Sequence, residues 1–349
     1  MNQPQAQQGL ATLMISLILL LGMTMLTMAS ARTSLVETRI TGNETRLIEA
    51  SHAADAGLEY AIAWLATHPW SSSDSPPSPP SVTAGSGDTY AISLSFSASG
   101  DLITIHSRAT ATSDTSISAG VSQQLRQAFL LNPTAKVTPL IVNGCIDSVT
   151  GTPDIYPSNW SSIEPVGTAI ATSKVDEPAG SCIASGHFDT HDGSIVDEAF
   201  PNTAWDYLFD ISKDEFQALA TAEANAVASG ELPSSGRSYY WITDSSNWDT
   251  SLGSASHPVF LAFAASAGCP RINGNPTIYG IVYVDGGCPD GAQGWGGAEV
   301  YGGVVMEGDL AKYNANAALY DWSEAGGSDE ELPNPPIGAS RLPGSWKDW

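Results

Sequence analysis

The chain is poor in positive charge: its 349 residues include 13 Lys and Arg against 37 Asp and Glu, a formal net charge of −24. A surface that neutralises a phosphate backbone needs clustered Lys and Arg, so direct nucleic-acid binding is excluded. Charged residues of either sign make up only 14% of the chain, well under the usual quarter, so the polar surface must be built largely from Ser, Thr, Asn and Gly. Cysteine is scarce too, and all 4 copies lie beyond residue 144. The common catalytic motifs are missing: the sequence contains no H-E-x-x-H, G-x-S-x-G, Walker or G-x-G-x-x-G pattern. Apolar residues, by contrast, are plentiful, at 42% with 10 Trp and 11 Tyr. That content excludes a disordered acidic chain and suffices for a sizeable core.

One apolar run dominates the N-terminus. Leu10–Met28, LATLMISLILLLGMTMLTM, carries no charge, and as a helix it spans about 28 Å, close to the hydrocarbon thickness of a bilayer. Three readings are open. Ala29-Ser30-Ala31 before Arg32 offers a signal-peptidase site, although the stretch MNQPQAQQ has no basic residue and the run is long for a cleaved signal. A plain single-pass anchor is the second reading. The third is a short polar leader, residues 1–9, ending at Gly9 directly before Leu10.

Residues 32–67 continue the helical pattern without proline. Apolar or small residues at Leu47, Ala50, Ala54, Leu58, Ala61 and Leu65 recur at steps of three and four, the spacing of one helix face. Pro69 and the Ser- and Pro-rich stretch 71–81 end it. The spacing therefore predicts one helix over residues 10–67, about 85 Å long, with a membrane segment at 10–28. A helix half apolar and half amphipathic suits a subunit packed laterally against copies or relatives of itself.

Glu37-Thr-Arg-Ile-Thr-Gly42-Asn43, followed by Ala53-Ala54-Asp55-Ala-Gly-Leu58-Glu-Tyr60, resembles the N-terminal region of PilX-type minor pilins of type IV pili. Gly9-Leu10 resembles a prepilin cleavage site, and Pro343-Gly-Ser-Trp-Lys-Asp-Trp349 is similar to the end of such proteins. Residues 8–130 and the tail carry the likeness; the middle does not. Two departures stand out. The fifth residue after Gly9 is Met14, where major pilins have a Glu that neutralises a neighbour's amine, and the leader lacks a basic residue before Gly9. The resemblance implies a structural protein rather than an enzyme, without cofactors. It would be cut by a prepilin peptidase and held in the bacterial inner membrane by a single pass, with its C-terminal part periplasmic. From there it would enter the pilus fibre outside the cell. Its partners would be other minor pilins, the major pilin, a tip adhesin and the inner-membrane assembly machinery. Its role would be to prime assembly at the pilus tip, with consequences for adhesion and twitching motility. Met14 suits a tip subunit, where the amine to be neutralised is missing. A minor pseudopilin of type II secretion shares the same helix logic. A membrane-anchored or secreted hydrolase with a site in residues 134–330, near His187 and His191, is the alternative from a different class.

The expected fold is α+β: the long helix packed on a small antiparallel sheet, then a mainly β module with solenoid-like features. Residues 68–132 form a linker and headpiece. Thr89–Phe96 alternates strictly, a turn at 98–101 follows, and 102–108 and 117–129 supply two further strands. His106 and Arg108 read as members of a solvated face. Residues 133–325 form a second module, since 8 basic and 28 acidic residues, −20 of the −24, lie beyond residue 133. Within it Ile278-Tyr-Gly-Ile-Val-Tyr-Val-Asp-Gly286 aligns with Val300-Tyr-Gly-Gly-Val-Val-Met-Glu-Gly308, and a degenerate copy, 257–263, precedes them. A recurring strand and acidic-Gly corner suggests stacked rungs, with Ile278, Val282, Val284, Val300, Val304 and Met306 facing inward. An ordinary hairpin sandwich remains open. A helix is expected over 214–229, capped by Ser212 or Asp214 and by Gly230; 326–349 is a Gly-, Pro- and acid-rich tail, of which 326–343 reads as loosely draped.

Cys145, Cys182, Cys269 and Cys288 are even in number and fit two disulfides in an oxidising compartment, with adjacent pairing preferred. Their dispersal argues against zinc. Gly186–Gly193 gathers His187, Asp189, His191 and Asp192, residue types that ligate zinc or manganese, though a polar loop is the favoured reading. Asp285–Gly291 has acidic residues among glycines but lacks the spacing of a calcium loop, which leaves calcium as a minority reading. Trp295 between glycines reads either as an exposed contact or as a buried ring over a turn.

Overall fold

The computed structural model describes residues 6–99, 102–161, 165–173, 188–197, 200–232, 236–244, 247–286, 292–309, 313–326 and 331–349. The chain divides into two compact units: residues 1–128 with 336–349, and residues 129–335.

The first unit begins with α1 (Ala6–Leu65), one helix of 60 residues, about 90 Å long. It ends two residues before the sequence predicts. Four antiparallel strands follow: β1 (Val82–Thr83), β2 (Thr89–Ser99), β3 (Leu102–Ala111) and β4 (Ser118–Phe129). The β2–β3 register pairs Tyr90 with Ala111 and Ser99 with Leu102, so the strand runs past the expected turn; residues 100–101 lie outside the described residues. One face of the sheet packs on the C-terminal third of α1. Ala50, Ala53, Ala54, Leu58, Ala61 and Leu65 close a core with Tyr90, Ile103, Ile105, Val121 and Leu125. Leu47 departs from the expected face and is 51% exposed, because the helix has already left the sheet there.

The tail is not loosely draped. Pro336–Arg341 continues the sheet beside β4, and Lys347–Asp348 pairs antiparallel with β4 through Lys347↔Ser122 and Asp348↔Val121. The Gly- and Pro-rich composition concealed two short strands. Gln123 Nε2 donates to Leu342 O at 3.0 Å and Ser345 Oγ at 2.6 Å, and Trp349 exchanges backbone hydrogen bonds with Gly120.

The second unit is built on parallel pairing, as buried repeats require. Its strands are β5 (Leu140–Asn143), β6 (Val149–Thr150), β7 (Asp154–Tyr156), β8 (Thr168–Thr172), β9 (Ser194–Asp197), β10 (Tyr239–Ile242), β11 (Asn247–Trp248), β12 (Val259–Phe263), β13 (Arg271–Ile272), β14 (Thr277–Val284), β15 (Ala292–Glu307) and β16 (Tyr313–Tyr320). The main path runs β10-β12-β14-β15-β5-β8-β9, with β16, β6 and β7 stacked beyond the first half of β15. The repeat sets the register: Ile278 lies beside Val300, Gly280 beside Gly302 and Val282 beside Val304, while Val259 lies beside Gly280. Among described neighbours in this sheet every pairing is parallel, which rules out the hairpin sandwich. All six residues expected to face inward are buried.

The rung order is not the chain order. The strands 140–197 stack outward from one side of β15, and the strands 239–284 stack toward it from the other. Among its described residues are two α-helices, α2 (Ala204–Leu208) and α3 (Lys213–Ser229). Ser212 caps α3 through a reciprocal box with Glu215, and Gly230 closes it at φ 81°. Trp295 is fully buried, its Nε1 donating to Pro270 O at 3.2 Å, so the exposed-contact reading falls.

Candidate functional site

Two surfaces carry the functional argument, one in each unit. The first is α1. Its described side chains from Thr12 to Glu44 are all exposed, including Met14 at 61% and a run of Leu, Ile and Met residues through Met28. This helix is long and apolar enough to cross a membrane, with a window of mean hydropathy 2.1. An apolar surface of that length in water has no stable place, so it must be covered by lipid or by other helices. Glu37, Gly42 and Asn43 lie on the free part of the helix, whereas Ala53, Ala54 and Leu58 are buried against the sheet and Asp55 sits at the edge of that contact. Gly9 and Leu10 fall within the helical backbone.

What fixes the free part relative to the headpiece is a polar clamp at residues 46–59. Arg46 Nε donates to Asp88 at 2.8 Å, and its Nη2 donates to Ser113 at 2.7 Å. Ser86 Oγ donates to Glu49 at 2.6 Å, and Tyr90 Oη donates to Arg46 O at 3.0 Å. Deeper in, the buried Ser107 hydroxyl donates to Ala54 O at 2.7 Å. Arg341, on the strand that returns from the tail, pairs with Glu59. Hydrogen bonds from Ser116 hold the Asp114 carboxyl below its ordinary pKa, so Asp114 stays charged facing Arg46 at 3.7 Å. Gly57 permits the close approach: a Cβ there would meet Ser107 Oγ and the Ile92 side chain. Sequence reading missed Arg46, Gly57 and Ser107. Only the isolated Gly57 within a helical pattern offered a signal.

The second surface is on the parallel unit. Ile278, Val300, Leu319 and Ile155 stack inward rung on rung, so their neighbours in sequence stack outward. Tyr279, Tyr301, Tyr320 and Tyr156 form a continuous aromatic column with centroids 4.8, 4.5 and 4.5 Å apart and ring planes within 10°. His191 ends the column, 4.1 Å from Tyr156. Burial, aided by neighbouring phenols and carboxylates, pushes Tyr320 up to about 12 and raises Tyr156 and Tyr301, which keeps these phenols protonated. Of the expected cluster, Asp189 and His191 come together with Asp154 of β7, which sequence reading missed. Asp154 is far from them in sequence and becomes their neighbour only through rung stacking. Asp192, at φ 67°, does not belong to that trio, and His187 lies outside the described residues.

Cys145 and Cys269 are both disulfide-bonded; Cys182 and Cys288, and with them the pairing, lie outside the described residues. Asp285 accepts from Lys213 Nζ at 2.7 Å, and most of the Asp285–Gly291 loop is likewise outside them. His106 packs edge-on against Trp349 at 5.5 Å, and Arg108 donates to Ser118 Oγ at 3.0 Å.

The membrane-length helix has a free apolar half, and its C-terminal third is clamped to an antiparallel sheet that the C-terminal strands complete. Residues 8–59 match the family model for the PilX N-terminal region. No curated protein sequence matches the chain. Among solved structures, the crystal structure of the competence-associated pilin ComZ from Thermus thermophilus is similar at 11% identity. That match covers 87% of this chain and 97% of that one at a TM-score of 0.28.

Proposed function

We propose that this chain is a minor pilin of a type IV pilus that primes assembly and sits at the pilus tip with other minor pilins. The observation that carries the proposal is the coincidence of the matched segment, 8–59, with a helix that is exposed from Thr12 through its apolar half and clamped to a sheet over its C-terminal third. The exposed half packs in the membrane before assembly and against neighbouring pilin helices afterwards. Met14 places a neutral side chain where a filament-interior subunit needs a carboxylate, which favours a terminal position. The acidic parallel unit is then displayed for adhesion or for contact with a tip adhesin. The protein works by packing and display, without catalysis.

Mass spectrometry of the mature N-terminus tests the first step. A chain starting at Leu10 with a methylated amine is expected, and a start at Arg32 would sink the proposal in favour of a secreted protein. Deletion of the gene is expected to reduce surface pili while pilin synthesis continues. Normal piliation with impaired protein secretion would move the assignment to a type II secretion pseudopilin.

A further inference from the structure

The outward columns of the parallel unit converge on one spot. On the inner side of each rung lie Ile278, Val300, Leu319 and Ile155; on the outer side run Tyr279-Tyr301-Tyr320-Tyr156 and, two residues before each tyrosine, Thr277-Glu299-Ala318-Asp154. Asp189 extends the second column through a parallel bridge to Asp154, held by Ile155 N to Asp189 O at 2.8 Å and Asp189 N to Pro153 O at 3.1 Å. His191 extends the first column by stacking on Tyr156. Rung stacking thus sets two carboxylates side by side and lays an imidazole across them.

We propose that Asp154, Asp189 and His191 bind a first-row divalent cation of borderline softness, with Zn2+ as its representative. One ligand atom from each lies within 4.8 Å of the others, and His191 Nε2 stands 3.8 Å from Asp154 Oδ1. Ligand oxygens and nitrogens around tetrahedral zinc lie about 3.4 Å apart, so rotation of two exposed carboxylates by about 1 Å completes the set. An independent observation points to the ligand: His191 Nε2 is itself shielded from solvent and has no hydrogen-bond partner. A buried ring nitrogen left in that state is costly, and a metal satisfies it where a 3.8 Å carboxylate does not. The imidazole is pinned for the purpose between Tyr156 and Trp160, with ring centroids at 4.1 and 5.3 Å, which supplies the orientation that ligating histidines need. The carboxylate side chains are 43% and 57% exposed, so the cation enters from solvent and keeps water in its remaining positions. Two carboxylates and one imidazole suit zinc or manganese better than calcium, which takes six or more oxygens. Bound there, the cation would tie the segment carrying Asp189 and His191 to β7, fastening the last rung independently of whether α1 enters a pilus.

The full-length chain, purified in detergent and stripped with EDTA, is titrated with ZnCl2 in the presence of excess MgCl2. One Zn2+ per chain is expected, with an upward shift of the thermal transition on binding. The isosteric Asp154→Asn is expected to weaken binding by about tenfold or more, and His191→Gln by at least as much. Near-UV circular dichroism verifies that both variants are folded. Should His191→Gln lose its fold, Asp154→Asn alone decides. Absence of saturable one-to-one binding overturns the site. So does wild-type Zn2+ affinity in Asp154→Asn, because the metal would then sit elsewhere on the acidic surface.

Discussion

The two β regions of this molecule answer the same problem, how to bury one face of a sheet, in opposite ways. In the N-terminal unit the sheet is antiparallel, its strands are neighbours in sequence, and a single helix covers one face. In the second unit the sheet is parallel, the strands stack around their own interior, and neighbours in space come from distant stretches of chain, as where β15 meets β5. The first design leaves a helix free to project. The second is built of self-similar rungs that display columns of identical side chains. The charge follows the division: −20 of the −24 lies beyond residue 133.

The sharpest way to break the comparison is through the rung glycines. Gly280 and Gly302 sit at φ 132° and 130°, and a Cβ at Gly280 would land on the Val259 carbonyl while one at Gly302 would land on that of Gly280. Neither neighbour can rotate away, because both are backbone within the parallel ladder. Gly280→Ala is expected to cost more than about 3 kcal/mol, read as a large drop in the denaturation midpoint. The near-UV signals of Trp295 and Trp205 should be lost with it. A stable, wild-type-like variant would mean that the rungs are not packed in this register.

The counterpart in the antiparallel unit is Gly57→Ala, where the added methyl meets the ends of two side chains, Ser107 and Ile92. Side chains yield where backbone does not, so the expected loss is about 1–3 kcal/mol, measured by chemical denaturation. The same variant should loosen the hydrogen bond from Ser107 to Ala54 O, raising amide exchange in residues 54–61. An effect as large as that of Gly280→Ala would show that the helix contact is as rigid as the rung stack.

How much of this was legible in sequence differs between the two designs for a physical reason. Alternation in 89–96 and the three-four spacing of Ala50 to Leu65 reveal which faces are buried, because those signals are local. The repeat at 278 and 300 likewise gave the register, since identical side chains must stack. Hidden were the pairings that depend on distance along the chain: the return of 336–348 to the edge of β4, the junction of β15 with β5, and the arrival of Asp154 beside Asp189. Composition misled at the tail, where Gly and Pro read as loop although two short edge strands tolerate both. Trp295 was undecidable because flanking glycines serve an exposed ring and a buried one equally well.

The smallest expected effect tests whether the helices of the second unit matter to it as α1 does to the first. Ser212 and Glu215 cap α3 reciprocally, and replacing Ser212 by Ala should cost about 1 kcal/mol. The two hydrogen bonds from Ser212 hold the Glu215 carboxyl below its ordinary pKa. A depressed carboxyl contributes stability that is present above its unfolded value and lost as pH falls through the folded one. Wild type and Ser212→Ala should therefore differ most near neutral pH, and the gap should narrow as pH falls below about 4. Because Glu215 is exposed, the pH-dependent part is the smaller share of the difference. A gap that stays constant down to pH 2 would assign the whole effect to the serine hydroxyl and leave the carboxylate without a role.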